Sequence, residues 1–412
     1  MNDKNIDDKK IVLLIVRKSY AELDWVLPVL QELKKNFKIY TYFNSKKTFE
    51  NVRSSKYFFN QWKKFSDKHY TQKKNEAFLL RLLFYLLKKI NFIYPFNYKK
   101  VLSRKINEKL YSKENFCKFY KEEKWVKPGI IFNPLGEKGW EIGWIETFKK
   151  EKILSVRYPH STQIHSNYFR DKICKNENNY VENCVILTGS KHDLPALSMN
   201  WNLNNIKIVG YPRYEKSWLN YTKKIKNTNN IGVTLKNFKN NESNKFKNLI
   251  LSILKLSNVI TNSKVIFKLH PSQKKKDFIK ILKDLNFQNW EISEESALSI
   301  ASKSRVFLAY HRSSTILDSI AAGTPTIKLW SIKVDDPDNH IKRFGINNSI
   351  YTELGLAPVA HNYEDLSYLV KLAFKDPSNN IWIEQKKNFM EICQNENPFV
   401  NINKTILENI TY

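Results

Sequence analysis

The sequence predicts an α/β fold built on two parallel sheets. Apolar segments of strand length alternate with segments whose apolar residues recur at helical spacing, a pattern typical of parallel sheets covered by helices. The chain has 412 residues, and single hydrophobic cores stop growing near about 250–300 residues, so two domains are expected. Small polar residues also follow two of the predicted strands, at the position where an open α/β sheet binds ligands.

The chain begins with a predicted βαβ unit. A strand is predicted at residues 9–16, because two lysines are followed there by the continuous apolar run 11–16, which is typical of a buried parallel strand. Residues 25–33 have the i, i+3, i+4 spacing of an amphipathic helix, and residues 37–43 return as a strand. A right-handed crossover is expected between the two strands. Further strands are predicted at residues 129–132, 153–156, 184–187, 206–209, 231–234, 265–269, 306–309 and 326–329.

The strand at residues 265–269 ends at His270-Pro271. Four of its five residues are apolar, with β-branched and aromatic types first, which indicates a buried strand. Pro271 stops the ladder and restrains the backbone of His270. His270 is therefore placed beyond the strand end, where it could donate a hydrogen bond to a phosphate or a leaving group. The alternative is a histidine that only fills the strand end.

A second group of polar residues follows the apolar strand at residues 305–310. Ser313, Ser314 and Thr315 are N-cap types directly before apolar residues at helical spacing, and Gly323 is a C-cap type. The first-turn amides of such a helix are unpaired and its dipole is positive there, so backbone and hydroxyl groups can hold an anion. An ordinary capped helix would explain the serines but not the histidine one βα unit earlier. The two segments together predict a site for a nucleotide phosphate.

These segments carry a family resemblance. His270-Pro271 and Ser313-Ser314 resemble the HP and SS motifs of bacterial transferases that build capsules, lipopolysaccharide and teichoic acids, a group that includes polysialyltransferases, Kdo transferases and CDP-glycerol glycerophosphotransferases. Residues 209–215, Val-Gly-Tyr-Pro-Arg-Tyr-Glu, resemble the segment that joins the two halves in the CDP-glycerol and surface-carbohydrate branches. The matches fall within residues 205–330, in the expected order, and the amino-terminal half resembles these families only in general layout.

The resemblance implies a GT-B architecture, in which two Rossmann-like domains face each other across a cleft and the carboxy-terminal domain holds the donor nucleotide. It implies an inverting single displacement that moves a sugar, or a glycerol or ribitol phosphate, from a CMP- or CDP-linked donor onto a cell-surface polysaccharide. The acceptor is expected to be a glycan or a lipid-linked molecule. The nucleotide-activated donor is a substrate, and neither a cofactor nor a bound metal is expected.

The resemblance also suggests site residues. The HP and SS motif positions are matched by His270, Ser313 and Ser314. Additional cationic or hydrogen-bond-donating groups would come from His311 and Arg312. Arg213 follows the proline of the domain-joining segment and could reach the cleft; alternatively, it pairs with Glu215. The predicted donor-binding residues are Arg213, His270, Pro271, His311, Arg312, Ser313, Ser314 and Thr315.

The base that deprotonates the acceptor is less sharply defined. His160 follows an apolar strand and has a near-neutral ordinary pKa. Its position resembles the HG loop of the CDP-glycerol branch, with a serine in place of the glycine. Glu137, and Glu22 or Asp24 after the first strand, are rival carboxylates, for which a solvated loop charge or a helix cap is the alternative.

Polar residues 223–230 predict a linker. We therefore expect an acceptor domain over residues 1–215, a nucleotide-donor domain over residues 216–395, and a tail at 396–412 that packs on the amino-terminal domain.

The net charge of +29 favours polyanionic partners. Nucleic acid is not expected, because the lysines are spread along the chain without a compact binding motif. An anionic membrane surface is expected to contact residues 78–100. Their apolar run is interrupted by Arg81, Lys88 and Lys89 and is too short before Pro95 to span a bilayer. It could form an interfacial basic helix, with a core helix of the first domain as the alternative.

Further sequence features concern the location of the protein, the redox state of its cysteines and metal binding. No signal peptide is evident, so a cytoplasmic protein is expected, peripheral on the inner face of the membrane. The four cysteines lack metal-ligand spacing and are expected to be reduced thiols. Residues 335–338, Asp-Asp-Pro-Asp, are expected to form a turn rather than a metal site.

Two other functions remain open. The first is a UDP-sugar 2-epimerase, which shares the fold and often carries an arginine after the first strand, as Arg17 does here. The second is a non-catalytic glycan-binding or assembly protein of the same fold.

Overall fold

The computed structural model describes residues 11–17, 20–71, 129–134, 152–159, 164, 184–198, 201–222, 229–235, 243–260, 263–270, 273–310, 313–329, 350–394 and 396–410. The chain divides into two compact units. Unit 1 comprises Met1–His160, Lys175–Pro212 and Pro398–Tyr412, and unit 2 comprises Ser161–Cys174 and Arg213–Asn397.

The sheet of unit 1 has seven strands in the described part of the chain. These are β1 (Ile11–Val16), β2 (Lys38–Phe43), β3 (Lys68–Thr71), β4 (Ile130–Pro134), β5 (Leu154–Tyr158), β6 (Cys184–Thr188) and β7 (Ile206–Ile208). All pairings are parallel, in the order β3-β2-β1-β4-β5-β6-β7. Every residue of β1 is buried, because this central strand has a neighbour on each side and helices cover parallel sheets.

The sheet of unit 2 has six described strands. These are β8 (Asn230–Thr234), β9 (Val265–Lys268), β10 (Trp290–Ile292), β11 (Ser304–Tyr310), β12 (Thr326–Leu329) and β13 (Val359–Ala360). They are all parallel and follow the order β10-β9-β8-β11-β12-β13. The chain thus proceeds from β8 outward to β10, then crosses to β11 and proceeds outward on the other side. The point between β8 and β11 is a topological switch point.

Helices connect these strands. They are α1 (Leu23–Leu33), α2 (Lys46–Ser54), α3 (Lys56–Phe65), α4 (Leu194–Ser198), α5 (Lys216–Thr222), α6 (Ser243–Val259), α7 (Lys275–Asp284), α8 (Ala297–Ser302), α9 (Thr315–Ala321), α10 (Ile350–Glu353), α11 (Tyr363–Lys375), α12 (Asn380–Cys393) and α13 (Pro398–Ile410). Helices α1–α4 and α13 belong to unit 1, and the others to unit 2.

The two faces of the unit 2 sheet differ in character. Alternate residues of the central strands, such as Val233, Phe267 and Leu308, join one apolar cluster with helices α6, α7 and α11, as the period of two in a strand requires. On the opposite face Thr234, Lys268 and Ala309 are register neighbours near the carboxyl ends of β8, β9 and β11. Thr234 and Lys268, the polar residues at the carboxyl ends of β8 and β9, therefore lie side by side on one face of the sheet.

The predicted α/β class is confirmed. Every predicted strand is present, and its ends differ from the prediction by at most two residues. The strands β3, β10 and β13 were not predicted, because they are short outer strands without an apolar run. Cys184 and Cys393 are buried free thiols. Within the described ranges, no helix combines the length and apolar character that crossing a membrane requires. Residues 78–100 lie outside those ranges, so their membrane role stays a prediction.

Candidate functional site

The candidate site lies at the carboxyl edge of the unit 2 sheet. Strands β8, β9 and β11 are parallel neighbours, so their carboxyl ends meet at the same edge. The strand order reverses between β8 and β11, and open α/β sheets bind their ligands at such switch points. The residues that follow β9 and β11 are those that the sequence singled out.

Three hydroxyl groups meet at this switch point. The Oγ1 atom of Thr315 lies 2.7 Å from Thr234 Oγ1 and 2.7 Å from Ser313 Oγ. Thr234 is buried at the end of β8, whereas Ser313 and Thr315 are half-buried. Each hydroxyl has one proton to donate. If Thr234 donates to Thr315 and Thr315 donates to Ser313, the Ser313 hydroxyl at the half-buried end of this chain can donate its own hydrogen bond to a ligand.

The amides at the start of α9 bond locally. The Ser313 hydroxyl accepts a hydrogen bond from the amide of Thr315 at 3.4 Å. The Ser313 and Ser314 carbonyls accept from Ile316 and Leu317 at 3.3 and 3.0 Å. The expectation of unpaired first-turn amides is therefore wrong for Thr315, Ile316 and Leu317, because each of these amides has an acceptor two or three residues before it. The side-chain hydroxyls are the groups that can donate to a ligand here.

His270 leaves the sheet just beyond the end of β9. Lys268 is paired in register with Thr234, so His270 lies two residues past the level of the hydroxyl cluster. Its carbonyl accepts a hydrogen bond from the Gln273 amide at 2.8 Å, which turns the chain. His270 is exposed, but neighbouring protein atoms partly desolvate its ring and lower its pKa. The neutral imidazole, with one donor and one acceptor nitrogen, is therefore favoured at neutral pH.

Lys268 adds a cation that sequence reasoning overlooked. It lies on the same face as Thr234, is half-buried, and donates from Nζ to the carbonyl of Glu295. The Glu295 carboxylate lies 2.5 Å from Lys303 Nζ and accepts from Ser299. Burial opposes ionisation of Glu295, but the hydrogen bonds of Lys303 and Ser299 and the charges of Lys303 and Lys268 outweigh it and lower its pKa. The sequence offered one signal for this residue, because Lys268 interrupts the otherwise apolar run 265–269.

Arg213 is placed in a buried ion pair. Its guanidinium lies 2.7 Å from a carboxylate oxygen of Asp318 on α9, and both side chains are less than one-tenth exposed. Glu215, the partner considered from the sequence, instead accepts hydrogen bonds from the amides of Ser217 and Trp218 at 2.6 and 3.3 Å at the start of α5. The structure therefore connects Arg213 to the helix that follows Ser313 and Ser314. Its contact with a donor stays a prediction.

The remaining predicted residues lie partly outside the described ranges. Several of them lie outside these ranges, and their roles stay predictions: Pro271, His311, Arg312, His160, Glu137 and residues 335–338. Glu22 is buried in unit 1, accepts a hydrogen bond from the Arg17 amide at 2.6 Å, and has a carboxylate oxygen 3.7 Å from Arg17 Nε. In the part of the chain that the structure describes, no group of three or more His, Cys, Asp or Glu side chains is arranged to hold a metal ion.

Sequence comparisons find no relative, since neither a known family model nor a curated protein matches this chain. Solved structures do match over nearly the whole chain. A UDP-N-acetylglucosamine 2-epimerase is 12% identical, with a TM-score of 0.57 and coverage of 97% of this chain and 94% of its own. The glycotransferase of kitacinnamycin is 8% identical, with a TM-score of 0.57 and coverage of 98% and 99%.

A third match is the UDP-GlcNAc 2-epimerase from Neisseria meningitidis bound to UDP-GlcNAc. It is 13% identical, with a TM-score of 0.52 and coverage of 97% of this chain and 99% of its own. At these identities the likeness concerns the fold alone. It confirms the predicted GT-B fold class, with two parallel α/β sheets in one chain.

Proposed function

We propose that this protein is a nucleotide-sugar-dependent enzyme, a glycosyltransferase of GT-B type, whose donor nucleotide binds at the carboxyl edge of the unit 2 sheet. The observation that carries the proposal is the chain of hydroxyls from Thr234 through Thr315 to Ser313 at the switch point. Open α/β sheets bind their ligands at such switch points. Structural neighbours named as glycosyltransferase and as epimerase bound to UDP-GlcNAc support the same ligand class.

The residues at this edge suit a diphosphate. A phosphate oxygen accepts hydrogen bonds, and the Ser313 hydroxyl and the neutral ring of His270 can each donate one. Lys268, close to the same edge, supplies positive charge. When the bond between the sugar and the phosphate breaks, negative charge grows on the departing phosphate, and fixed donors aimed at that charge lower the barrier.

The proposed reaction is a single displacement. The acceptor hydroxyl oxygen forms a bond to the transferred carbon, the bond from that carbon to the donor phosphate breaks, and a base takes the acceptor proton. His160 or Glu137 is proposed as that base. A cytidylate donor, a cell-surface polysaccharide acceptor and peripheral attachment to an anionic membrane are proposed from the sequence resemblance.

A UDP-sugar 2-epimerase is the second candidate. Several of the solved neighbours carry that name, and Arg17 follows β1, the position at which such epimerases often carry an arginine. Arg17 is buried and its backbone amide donates to Glu22. An epimerase inverts C2 of its UDP-sugar without an acceptor, whereas a transferase requires one. A binding protein of the same fold would bind the nucleotide without turnover.

Calorimetric titration tests the proposal. Three proteins are titrated, the wild type, Ser313→Ala and the control Ser252→Ala, each with CMP, CDP, UMP, UDP, GDP and ADP. Ser252 is a suitable control, because its hydroxyl donates to the Asn248 carbonyl within α6. Loss of one hydrogen bond to a charged group, worth about 1.5–3 kcal/mol, should weaken diphosphate binding by about 10- to 150-fold in Ser313→Ala only. Equal affinities in all three proteins would contradict the proposed site.

Nuclear magnetic resonance of the bound sugar nucleotide then separates the candidates. The C2 epimer formed without acceptor indicates the epimerase, and release of nucleotide that depends on an added glycan acceptor indicates the transferase. Binding with neither product indicates the non-catalytic protein.

A further inference from the structure

A buried polar cluster lies behind the candidate site. The carboxylate of Asp318 accepts a hydrogen bond from the Tyr214 hydroxyl at 2.9 Å and lies 2.7 Å from the Arg213 guanidinium, both at the same oxygen. Asp318 is 2% exposed and Tyr214 is 2% exposed. The proposed displacement gives no step to Asp318 or Tyr214, although a buried carboxylate is costly unless it is paired.

The cluster acts on the helix that starts at the site. Asp318 lies in the middle of α9, three residues after Thr315, so the two side chains project from the same side of the helix one turn apart. The neighbouring residue Ser319, four after Thr315, links α9 to the sheet, because the Thr326 hydroxyl donates to Ser319 at 2.7 Å. Asp318 links the same helix to Arg213 and Tyr214 and so adds a further attachment.

The donors to Asp318 are themselves held in place. The carbonyl of Tyr214 accepts a hydrogen bond from Gln394 Nε2 at 2.7 Å. The Tyr214 ring contacts Phe389 edge to face, with centroids 5.3 Å apart. Burial, followed by the charge of Asp318, raises the pKa of Tyr214 well above its ordinary value, so the phenol keeps the proton that it donates.

We propose that Asp318 is a positioning residue, which anchors α9 to the turn at Arg213 and Tyr214 and thereby holds the hydroxyls of Ser313 and Thr315 against Thr234. The inference rests on the proposed function only for the ligand, a nucleoside diphosphate. The anchoring itself is a statement about the helix and is measured without any ligand.

Hydrogen exchange followed by mass spectrometry tests the anchoring. The variants are Asp318→Asn, which removes the charge, and Tyr214→Phe, which removes one donor and keeps the ring. Two controls lie elsewhere in unit 2: Asp277→Asn on the exposed side of α7 and Ile253→Val in the buried side of α6. The second lowers stability without contacting the cluster.

We expect faster exchange in peptides covering residues 313–322 for Asp318→Asn and Tyr214→Phe, at temperatures where the circular dichroism matches the wild type, and no change there in either control. UDP affinity should fall by about 10- to 100-fold in Asp318→Asn, since a misplaced group can cost that much. A lower melting temperature with unchanged exchange in both variants would overturn the proposal, because the cluster would then be merely structural. If exchange rises as expected but even the wild type binds no nucleotide, the anchoring stands and the proposed function fails.

Discussion

Replacing Thr315 with valine removes the hydroxyl that joins the two other members of the cluster. In the wild type Thr315 Oγ1 lies 2.7 Å from both Thr234 Oγ1 and Ser313 Oγ. Valine keeps the branched shape of threonine and supplies no hydrogen bond. Thr315→Ser is the matched control, because it keeps the hydroxyl and removes only the methyl group.

The expected loss follows from the two contacts. A neutral hydrogen bond contributes a net of about 0.5–1.5 kcal/mol, and a buried polar group left without a partner costs about 1–3 kcal/mol. Ser313 is half-buried and can turn to water, whereas Thr234 is only 5% exposed. The free energy of unfolding should therefore fall by about 1–3 kcal/mol in Thr315→Val, but by less than about 0.8 kcal/mol in Thr315→Ser.

Thermal unfolding followed by far-UV circular dichroism measures this difference. For a unit of this size each kcal/mol corresponds to a shift of about 2–4 °C, so the valine variant should melt roughly 2–12 °C below the wild type. A melting temperature of Thr315→Val at or above that of Thr315→Ser would contradict this expectation. The three hydroxyls would then not form a coupled chain.

Three further substitutions test other parts of the account. Partial desolvation lowers the pKa of His270 below the ordinary value of 6.5, so the unfolded chain binds more protons than the folded one as the pH falls through 6.5. Acidification should therefore lower the free energy of unfolding more in the wild type than in His270→Gln. Parallel pH profiles of stability would argue against a lowered pKa in the folded protein. Gln385→Ala strips three bonds from buried backbone groups of Thr326 and Leu356; urea unfolding should show a loss of about 2–5 kcal/mol, and a loss below 1 kcal/mol would count against those bonds. Gly189→Ala would place a Cβ atom 2.0 Å from the buried ring of Tyr211; urea unfolding should show a loss of at least about 1–3 kcal/mol, and wild-type stability would disprove the close packing.

The sequence predicted the central strands well, because parallel strands buried on both faces are continuous apolar runs. Residues 11–16 are an example, all of them buried. The outer strands β3, β10 and β13 carry no such run. Lys68–Thr71 has two exposed residues at its start and, among the described strands, pairs with β2 alone, so tertiary pairing rather than local pattern defines it.

The candidate site was predicted in part. Ser313, Thr315 and His270 follow β11 and β9 as expected, since the end of a strand is visible in the sequence. Thr234 could not be assigned to the site, because its contact with Thr315 depends on β8 and β11 being neighbours although β9 and β10 separate them in the chain. The partner of Arg213 was missed for the same reason, because Asp318 is more than a hundred residues away along the chain.

A crystal structure of the protein with bound UDP or CDP would show where the donor nucleotide lies. We expect a phosphate oxygen about 3 Å from Ser313 Oγ, at the carboxyl ends of β8 and β11, with His270 lining the same site. An ordered nucleotide elsewhere, whether on unit 1 alone or at the amino edge of the unit 2 sheet, would contradict the proposed site.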